Sequence, residues 1–247
     1  SVEFPDEQLF TGGRSAHATA IGAILAGMDF AAKSDELGEF AFVGAAPSSH
    51  LQVHEFWHFV RDHVFDGEPL DADVVTLSSG ATFEDWWTRG LERLAERDGV
   101  LIVAGAGNGQ RVHDPLLYPA AGANVLGVGL VESVVRDGVV EFSLPYSRSS
   151  SEGPTADGRC KPDLTAPGNV PAPGVGTETE YSMTGDGSSF AAPVVAGTAA
   201  LLLEEARRDP EMREALELPG TNCLIKAVLM NSARKLPFWH KGDVSAG

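Results

Sequence analysis

The chain has few cysteines, few basic residues and no long apolar run. Two cysteines, Cys160 and Cys223, are too few for a disulfide scaffold or a four-cysteine zinc site, and they leave one disulfide or two free thiols open. There are 18 Lys and Arg against 35 Asp and Glu, and this net charge of −17 argues against binding to nucleic acid or anionic membranes. No run of about 18 apolar residues is present, so the sequence predicts no membrane span.

Apolar residues make up 43% of the chain, which is typical of a packed globular protein. Continuous apolar runs at 74–77, 100–104 and 124–131 predict buried strands, and the spacing at 83–97 predicts a helix. Apolar strands that alternate with helices are typical of a parallel sheet covered on both faces. The sequence therefore predicts an α/β fold, a three-layer αβα sandwich around a mostly parallel sheet.

Two further elements can be predicted. Residues 134–142, with Asp137-Gly138 at the centre, have the pattern of a β-hairpin. Residues 191–206 are small and apolar all round, which indicates a buried helix. Because no linker divides the chain, we expect residues 1–247 to form a single domain.

The segment with the clearest chemistry is residues 185–197, GDGSSFAAPVVAG. Ser189 lies where a glycine-rich turn enters a helix, a position with free backbone N–H groups and the positive end of the helix dipole. A serine there can attack a carbonyl while its own N–H stabilises the developing oxyanion. A simpler interpretation is that Ser188 or Ser189 only caps the helix.

Residues 187–197 resemble the nucleophile motif of the subtilisin-like serine proteases (subtilases), G-T-S-M-A-x-P-x-V-A-G. Ser188, Phe190 and Val194 replace Thr, Met and the frequent His of that motif, and none of these changes removes a reacting group. The resemblance implies that Ser189 is the nucleophile.

Two other segments resemble catalytic motifs of the same family. Residues 15–27, SAHATAIGAILAG, are similar to the histidine motif and imply that His17 is the general base, although an alanine replaces the glycine that usually follows it. Residues 103–109, VAGAGNG, are similar to the A-A-G-N segment. This similarity implies that the Asn108 side chain completes the oxyanion hole.

Two more segments complete the ordered matches. Residues 73–80, DVVTLSSG, resemble the strand whose edge pairs with the substrate, and residues 146–168 resemble a scaffold stretch that ends in K-P-D-x-x-A-P-G. The positions implied to contact the substrate are Ser78, Ser79, Gly80 and Gly107.

Taken over nearly the whole chain, the resemblance implies a subtilisin-like sandwich with endopeptidase activity on polypeptides through an acyl-enzyme. It also implies a secreted or extracytoplasmic location. It requires no cofactor and allows structural calcium.

The triad acid is the main departure from the family. Subtilases carry an aspartate at the end of the first sheet strand, in a D-[ST]-G context upstream of the histidine. Asp6 is the sole aspartate before His17, and no apolar strand precedes it. We therefore expect the N-terminal strand with the catalytic Asp and the C-terminal closing segment to lie outside the sequence. A separate N-terminal segment is one source that could supply the Asp. A second hypothesis is a peptide-binding module that keeps the cleft without turnover.

A third hypothesis comes from His54-Glu55-Phe56-Trp57-His58, which matches the zinc-protease signature H-E-x-x-H. On a helix, the two histidines would bind zinc and Glu55 would act as the base. Glu84 lies at a conceivable distance for a third ligand. The stretch 51–57 also has the pattern of a strand, which would exclude that site.

Overall fold

The computed structural model describes residues 1–5, 13, 15–109, 116–131, 133–136, 139–142, 150–174 and 180–235. The strands, in chain order, are β1 (Val2–Glu3), β2 (Met28–Ser34), β3 (Gly38–Val43), β4 (Leu51–Gln52), β5 (Val74–Leu77), β6 (Leu101–Gly105), β7 (Val125–Val131), β8 (Ser133–Arg136), β9 (Val139–Phe142), β10 (Leu164–Pro167), β11 (Pro171–Pro173) and β12 (Tyr181–Met183). The helices are α1 (Ala16–Ala26), α2 (Phe56–Phe59) with a π-helical continuation (Val60–Phe65), α3 (Trp86–Asp98), α4 (Ser188–Arg208), α5 (Pro210–Leu216) and α6 (Thr221–Ser232).

A four-stranded parallel sheet, in the order β10-β7-β6-β5, forms the centre of the fold. Successive residues of β6 face opposite layers: Leu101 and Val103 pack with α4 and α6, while Ile102 and Ala104 pack with α3. All five residues of β6 are buried, as expected for a strand covered on both faces. The predicted α/β fold with a parallel sheet and helices on both faces is confirmed.

Helix α3 begins three residues later than the sequence pattern predicts. Asp85 caps the helix, because its carboxylate accepts from the N–H of Trp86 and its own N–H donates to Thr88 Oγ1 at 2.9 Å. At the other end, Gly99 adopts φ +69°, a left-handed conformation that terminates helices and favours glycine. The helix then leads directly into β6.

Helix α4 is the core helix of the second layer and is longer at both ends than predicted. It packs against β5, β6, β7 and β10, and Ala191, Ala192 and Ala199 are fully buried there. Its length and composition would allow it to cross a membrane, but half of its most apolar 18-residue window is buried inside the protein. The sheet contacts account for its apolar character.

The remaining strands form small sheets. The predicted hairpin at 134–142 is confirmed as the antiparallel pair β8–β9, and β1 pairs with β4 in parallel.

The prediction of a strand at 51–57 is largely wrong, because only Leu51 and Gln52 are extended and a helix begins at Phe56. Aromatic residues such as Phe56 and Trp57 suit a strand by propensity, and packing against α3 overrides that preference here.

Candidate active site

Ser189 is the second residue of α4. Gly187 occupies the N-cap position without a side-chain cap, and its carbonyl accepts from the N–H groups of Phe190 and Ala191. The interpretation of Ser188 or Ser189 as the cap is therefore wrong. Within the described part of the chain, the N–H of Ser189 has no recorded acceptor, which leaves it as a free donor in the positive first turn of the helix.

The strand end after β5 is hydrogen-bonded to the start of α4. Ser78 Oγ donates to the carbonyl of Ser189 at 2.7 Å, and Ser189 Oγ donates to the carbonyl of Ser78 at 3.3 Å. Ser79 and Gly80 follow and are exposed. A Cβ on Gly80 would lie 2.6 Å from the carbonyl oxygen of Tyr118, so this turn requires glycine.

Asn108 is fixed to α4 by its amide oxygen. Oδ1 accepts from the N–H of Ser188 at 2.8 Å and from Ser188 Oγ at 3.0 Å. The same hydroxyl accepts from the N–H of Gly107 at 3.0 Å. Because Oδ1 is held by Ser188, Nδ2 remains the donor end of the amide, and no acceptor for it is recorded among the described residues. Ser188, 3% exposed, holds the Asn108 amide in place, and sequence reasoning missed this contact, although the hydroxyl of the family's Thr at this position was a usable signal.

The loop that carries Asn108 depends on two glycines and a buried serine. Gly107 has φ +111° and Gly109 φ +47°, both in the region that favours glycine. A Cβ on Gly107 would lie 2.5 Å from Ser151 Oγ. That hydroxyl accepts from the N–H of Gly109 at 3.1 Å, and the N–H of Ser151 donates to the carbonyl of Gly107 at 3.0 Å.

His17 lies in the first turn of α1, whose N-cap is Ser15. Its side chain is exposed, and its ring makes an edge contact with Phe190, with the ring centroids 5.6 Å apart. Phe190 directly follows Ser189, so His17 stands beside the start of α4. Among the described residues, however, neither Ser189 nor a carboxylate is hydrogen-bonded to this imidazole. Asp6 lies outside the described residues.

The zinc hypothesis is not supported by the geometry. Glu55 is the N-cap of α2, and its carboxylate accepts from the N–H of His58 at 2.9 Å. His54 therefore precedes the helix and does not share a helical face with His58, as zinc binding by this signature requires. Across the described residues, no three His, Cys, Asp or Glu side chains form a group that could hold a metal ion.

At the opposite end of the sheet, the K-P-D stretch forms a buried ion cluster. Asp163 accepts from Lys161 Nζ at 2.7 Å and from the N–H of Gly127 at 2.7 Å, and Lys226 Nζ lies 3.3 Å away. Burial lowers the pKa of Lys161 to about 8, and the nearby Asp163 carboxylate acts against this shift. These residues tie β10 and α6 to β7, which fits a scaffold role. Cys160, next to this cluster, and Cys223 are exposed free thiols.

Comparison with known proteins shows which family the chain belongs to. The chain matches the model of the subtilase family, peptidase S8, over residues 3–245. It is similar to the "Thermophilic serine proteinase" of Bacillus sp. (strain AK1), with 29% identity over 184 residues, and these cover 70% of this chain and 40% of that protein. The chain thus matches less than half the length of this relative.

Solved structures show the same fold. The protease domain of PatA, solved as a serine-to-alanine mutant, superposes with a TM-score of 0.62 at 24% identity, covering 96% of this chain and 80% of that one. Sphericase superposes with a TM-score of 0.61 at 22% identity, covering 89% and 70%. Because the family model matches residues 3–245 of the chain, the chain belongs to the subtilase family of serine proteases.

Proposed function

We propose that this protein is a serine endopeptidase in which Ser189 is the nucleophile, His17 the general base and Asn108 an oxyanion-hole donor. The observation that supports this most strongly is the linkage between Asn108 and the start of α4. Ser188 holds Oδ1, so that Nδ2 and the N–H of Ser189 remain as two free donors within the described part of the chain. Two such donors are what a tetrahedral intermediate of acyl transfer requires.

The proposed reaction proceeds through an acyl-enzyme. Ser189 Oγ leaves the Ser78 carbonyl, transfers its proton to His17 and attacks the scissile carbonyl. Asn108 Nδ2 and the N–H of Ser189 stabilise the oxyanion, and His17 returns the proton to the leaving amine as the peptide bond breaks. Water, activated by His17, then releases the acyl group and restores the serine. No cofactor takes part in these steps, and structural calcium remains a family-based proposal.

The proposed substrate is an extended polypeptide. It would pair with the backbone at Ser78, which is half-buried, and at Ser79 and Gly80, which are exposed. Gly107, buried next to Asn108, is the fourth position proposed to contact it. Among the structural neighbours, PagA is named as a prenylagaramide maturation protease and PatG as a patellamide maturation protease. These names support a polypeptide substrate class for this chain. A secreted or extracytoplasmic location is likewise proposed from the family.

His17 needs a carboxylate to hold its tautomer and orientation, and we propose that a separate N-terminal segment supplies it. Removal of the triad acid lowers turnover by about 10⁴-fold in serine proteases. The absence of a recorded carboxylate partner for His17 within the described residues favours one second candidate, a peptide-binding module without turnover.

A fluorophosphonate probe tests these assignments. The wild-type protein and Ser189→Ala are treated with the probe, with and without a chelator, and the adduct is mapped by mass spectrometry. Labelling of Ser189 that is insensitive to chelator, together with peptide hydrolysis lost in Ser189→Ala, is the expected result. No label and no hydrolysis, with peptide binding retained, would establish the binding module. Hydrolysis abolished by chelator and retained in Ser189→Ala would contradict the serine mechanism.

A further inference from the structure

Phe190 lies between the two helices that carry the proposed nucleophile and the proposed base. It follows Ser189 in the first turn of α4, and its ring contacts the imidazole of His17 in the first turn of α1. The ring centroids are 5.6 Å apart and the ring planes are inclined by 62°, which is an edge-to-face arrangement. Because the family motif has methionine at this position, the ring contact is a feature of this chain and not of the motif.

The ring of Phe190 reaches His17 because of the side of α1 on which the histidine lies. His17, Ala20 and Ile24 are spaced by three and four residues, so they share one side of the helix. Ala20 and Ile24 are buried together with Ala172 of β11, and Phe190 packs against this cluster. The packing that holds Phe190 therefore places its ring beside His17.

Gly187, the N-cap of α4, leaves the space that the Phe190 ring occupies. A Cβ on Gly187 would lie 3.1 Å from Cδ2 and 3.3 Å from Cε2 of Phe190. The backbone of Gly187 is extended, with φ −163°, and any residue can adopt this conformation. The ring is thus confined by the start of α4 as well as by α1 and β11.

His17 needs a neighbour that restricts its imidazole. Its side chain is exposed, and in the part of the chain that the structure describes no carboxylate is hydrogen-bonded to its ring. Exposed side chains exchange rotamers on the picosecond to nanosecond timescale. An edge-to-face partner favours one orientation of the pair, and Phe190 supplies such a partner from the helical turn that carries Ser189.

We propose that Phe190 is a positioning residue that holds the imidazole of His17 beside Ser189. This inference rests on the proposed function, in which His17 accepts the Ser189 proton. Phe190 acts through His17 and takes no part in the bond changes, because it only raises the fraction of molecules in which the imidazole is correctly placed. The strength of edge-to-face ring pairs corresponds to a change in rate of about three- to tenfold.

Two phenylalanine variants test this role through the rate at which Ser189 reacts with a fluorophosphonate. Phe190→Leu removes the ring beside His17. Phe40→Leu removes a ring that is also half-buried and also has a ring partner at a centroid distance of 5.6 Å, but this partner is Tyr181. We expect the labelling rate to fall about three- to tenfold in Phe190→Leu and to stay within about twofold of the wild type in Phe40→Leu. Equal rates in the two variants would overturn the proposal.

Phe190→Tyr is the conservative variant. It keeps an aromatic ring beside His17, so its labelling rate should stay within about twofold of the wild type. A tyrosine variant as slow as Phe190→Leu would overturn the proposal, because the ring would then not be what places the imidazole.

Gly187→Ala displaces the ring without replacing it. The added methyl group crowds Cδ2 and Cε2 of Phe190, so the labelling rate should fall as it does in Phe190→Leu. In the Phe190→Leu background the same methyl group should have little further effect, because the ring through which it acts is absent. Losses that multiply in the double variant would contradict the proposal, since the two changes would then act independently.

NMR of the Ser189→Ala protein separates this inference from the proposed function, because it needs no turnover. The carbon-bound protons of the His17 imidazole, assigned with His17→Gln, sense the ring current of Phe190. Phe190→Leu should shift at least one of these signals, whereas Phe40→Leu should leave them unchanged. No shift in Phe190→Leu would overturn the inference even if Ser189 were labelled. The expected shift, together with no labelling of Ser189 in the wild-type protein, would contradict the proposed function and leave the placement of His17 by Phe190 standing.

Discussion

Ser78 and Ser189, 111 positions apart in the sequence, exchange two hydrogen bonds, each donating its hydroxyl to the other's carbonyl. The pair fixes the carboxyl end of β5 against the first turn of α4. These hydrogen bonds therefore join the proposed substrate-binding edge at Ser78 directly to the proposed nucleophile, Ser189.

Removing one of these hydroxyls should weaken the junction between the end of β5 and the start of α4. Ser78→Ala deletes the 2.7 Å bond to the Ser189 carbonyl, and we expect the free energy of unfolding to fall by about 1 kcal/mol. Ser79→Ala, at the next and exposed position, should change it by less than about 0.5 kcal/mol. Denaturant titration measures both, and equal effects would show that the Ser78 hydroxyl does not stabilise the junction.

Ser188 should matter for turnover although it does not touch the reaction. Ser188→Ala removes the group that joins Gly107 to Asn108, at a cost of about 1–3 kcal/mol in stability. With Asn108 less well placed, kcat should fall by up to about 10²-fold while KM changes little. Ser188→Thr keeps the hydroxyl and matches the family motif, so it should restore kcat. If Ser188→Thr did not restore kcat, the Ser188 hydroxyl would not be what positions Asn108.

Replacing Gly107 with alanine should destabilise the protein more than the same change at Gly158, a glycine that also has positive φ. Gly107→Ala combines φ +111° with a Cβ 2.5 Å from Ser151 Oγ, whereas Gly158→Ala, at φ +85°, meets nothing within 4 Å. In both variants an alanine at positive φ strains the backbone and lowers the free energy of unfolding by roughly 1–3 kcal/mol. Thermal unfolding should show a further loss of at least about 1 kcal/mol for Gly107→Ala, from the added crowding. Similar losses would mean that Ser151 moves aside freely.

The buried Lys161 predicts a pH dependence of stability. Its folded-state pKa is about 8, below the value of about 10.4 in an unfolded chain. Between these values the unfolded chain holds a proton that the folded protein has released, so stability rises with pH. Relative to Lys161→Met, the rise should reach up to about 1.4 kcal/mol per pH unit. Parallel stability–pH curves for the two proteins would contradict this assignment.

The elements that could be predicted are those with a strong local signal. The strands β5, β6 and β7 are continuous apolar runs, and α3 has a clear helical period, so their existence followed from the sequence. The prediction of a strand at 51–57 is wrong beyond Gln52, because a short aromatic-rich segment fits a strand or a helix equally well until its packing is known.

The parts of the site that could not be predicted depend on distant pairings. Ser188 and Asn108 lie 80 positions apart, and although the family motif has a hydroxyl at position 188, neither segment indicates that its partner is Asn108. The motif resemblance implies that His17 and Ser189 lie near one another, but it does not indicate that the ring of His17 contacts Phe190.

The proposed mechanism requires that His17, Ser189 and Asn108 converge on one reacting carbonyl. A crystal structure of the protein with a peptide phosphonate tests this convergence most directly. We expect phosphorus bonded to Ser189 Oγ and one phosphonyl oxygen accepting from Asn108 Nδ2 and the N–H of Ser189. We also expect the imidazole of His17 to lie within hydrogen-bonding distance of the adduct. An adduct on another residue, or His17 out of reach of the Ser189 adduct, would contradict it.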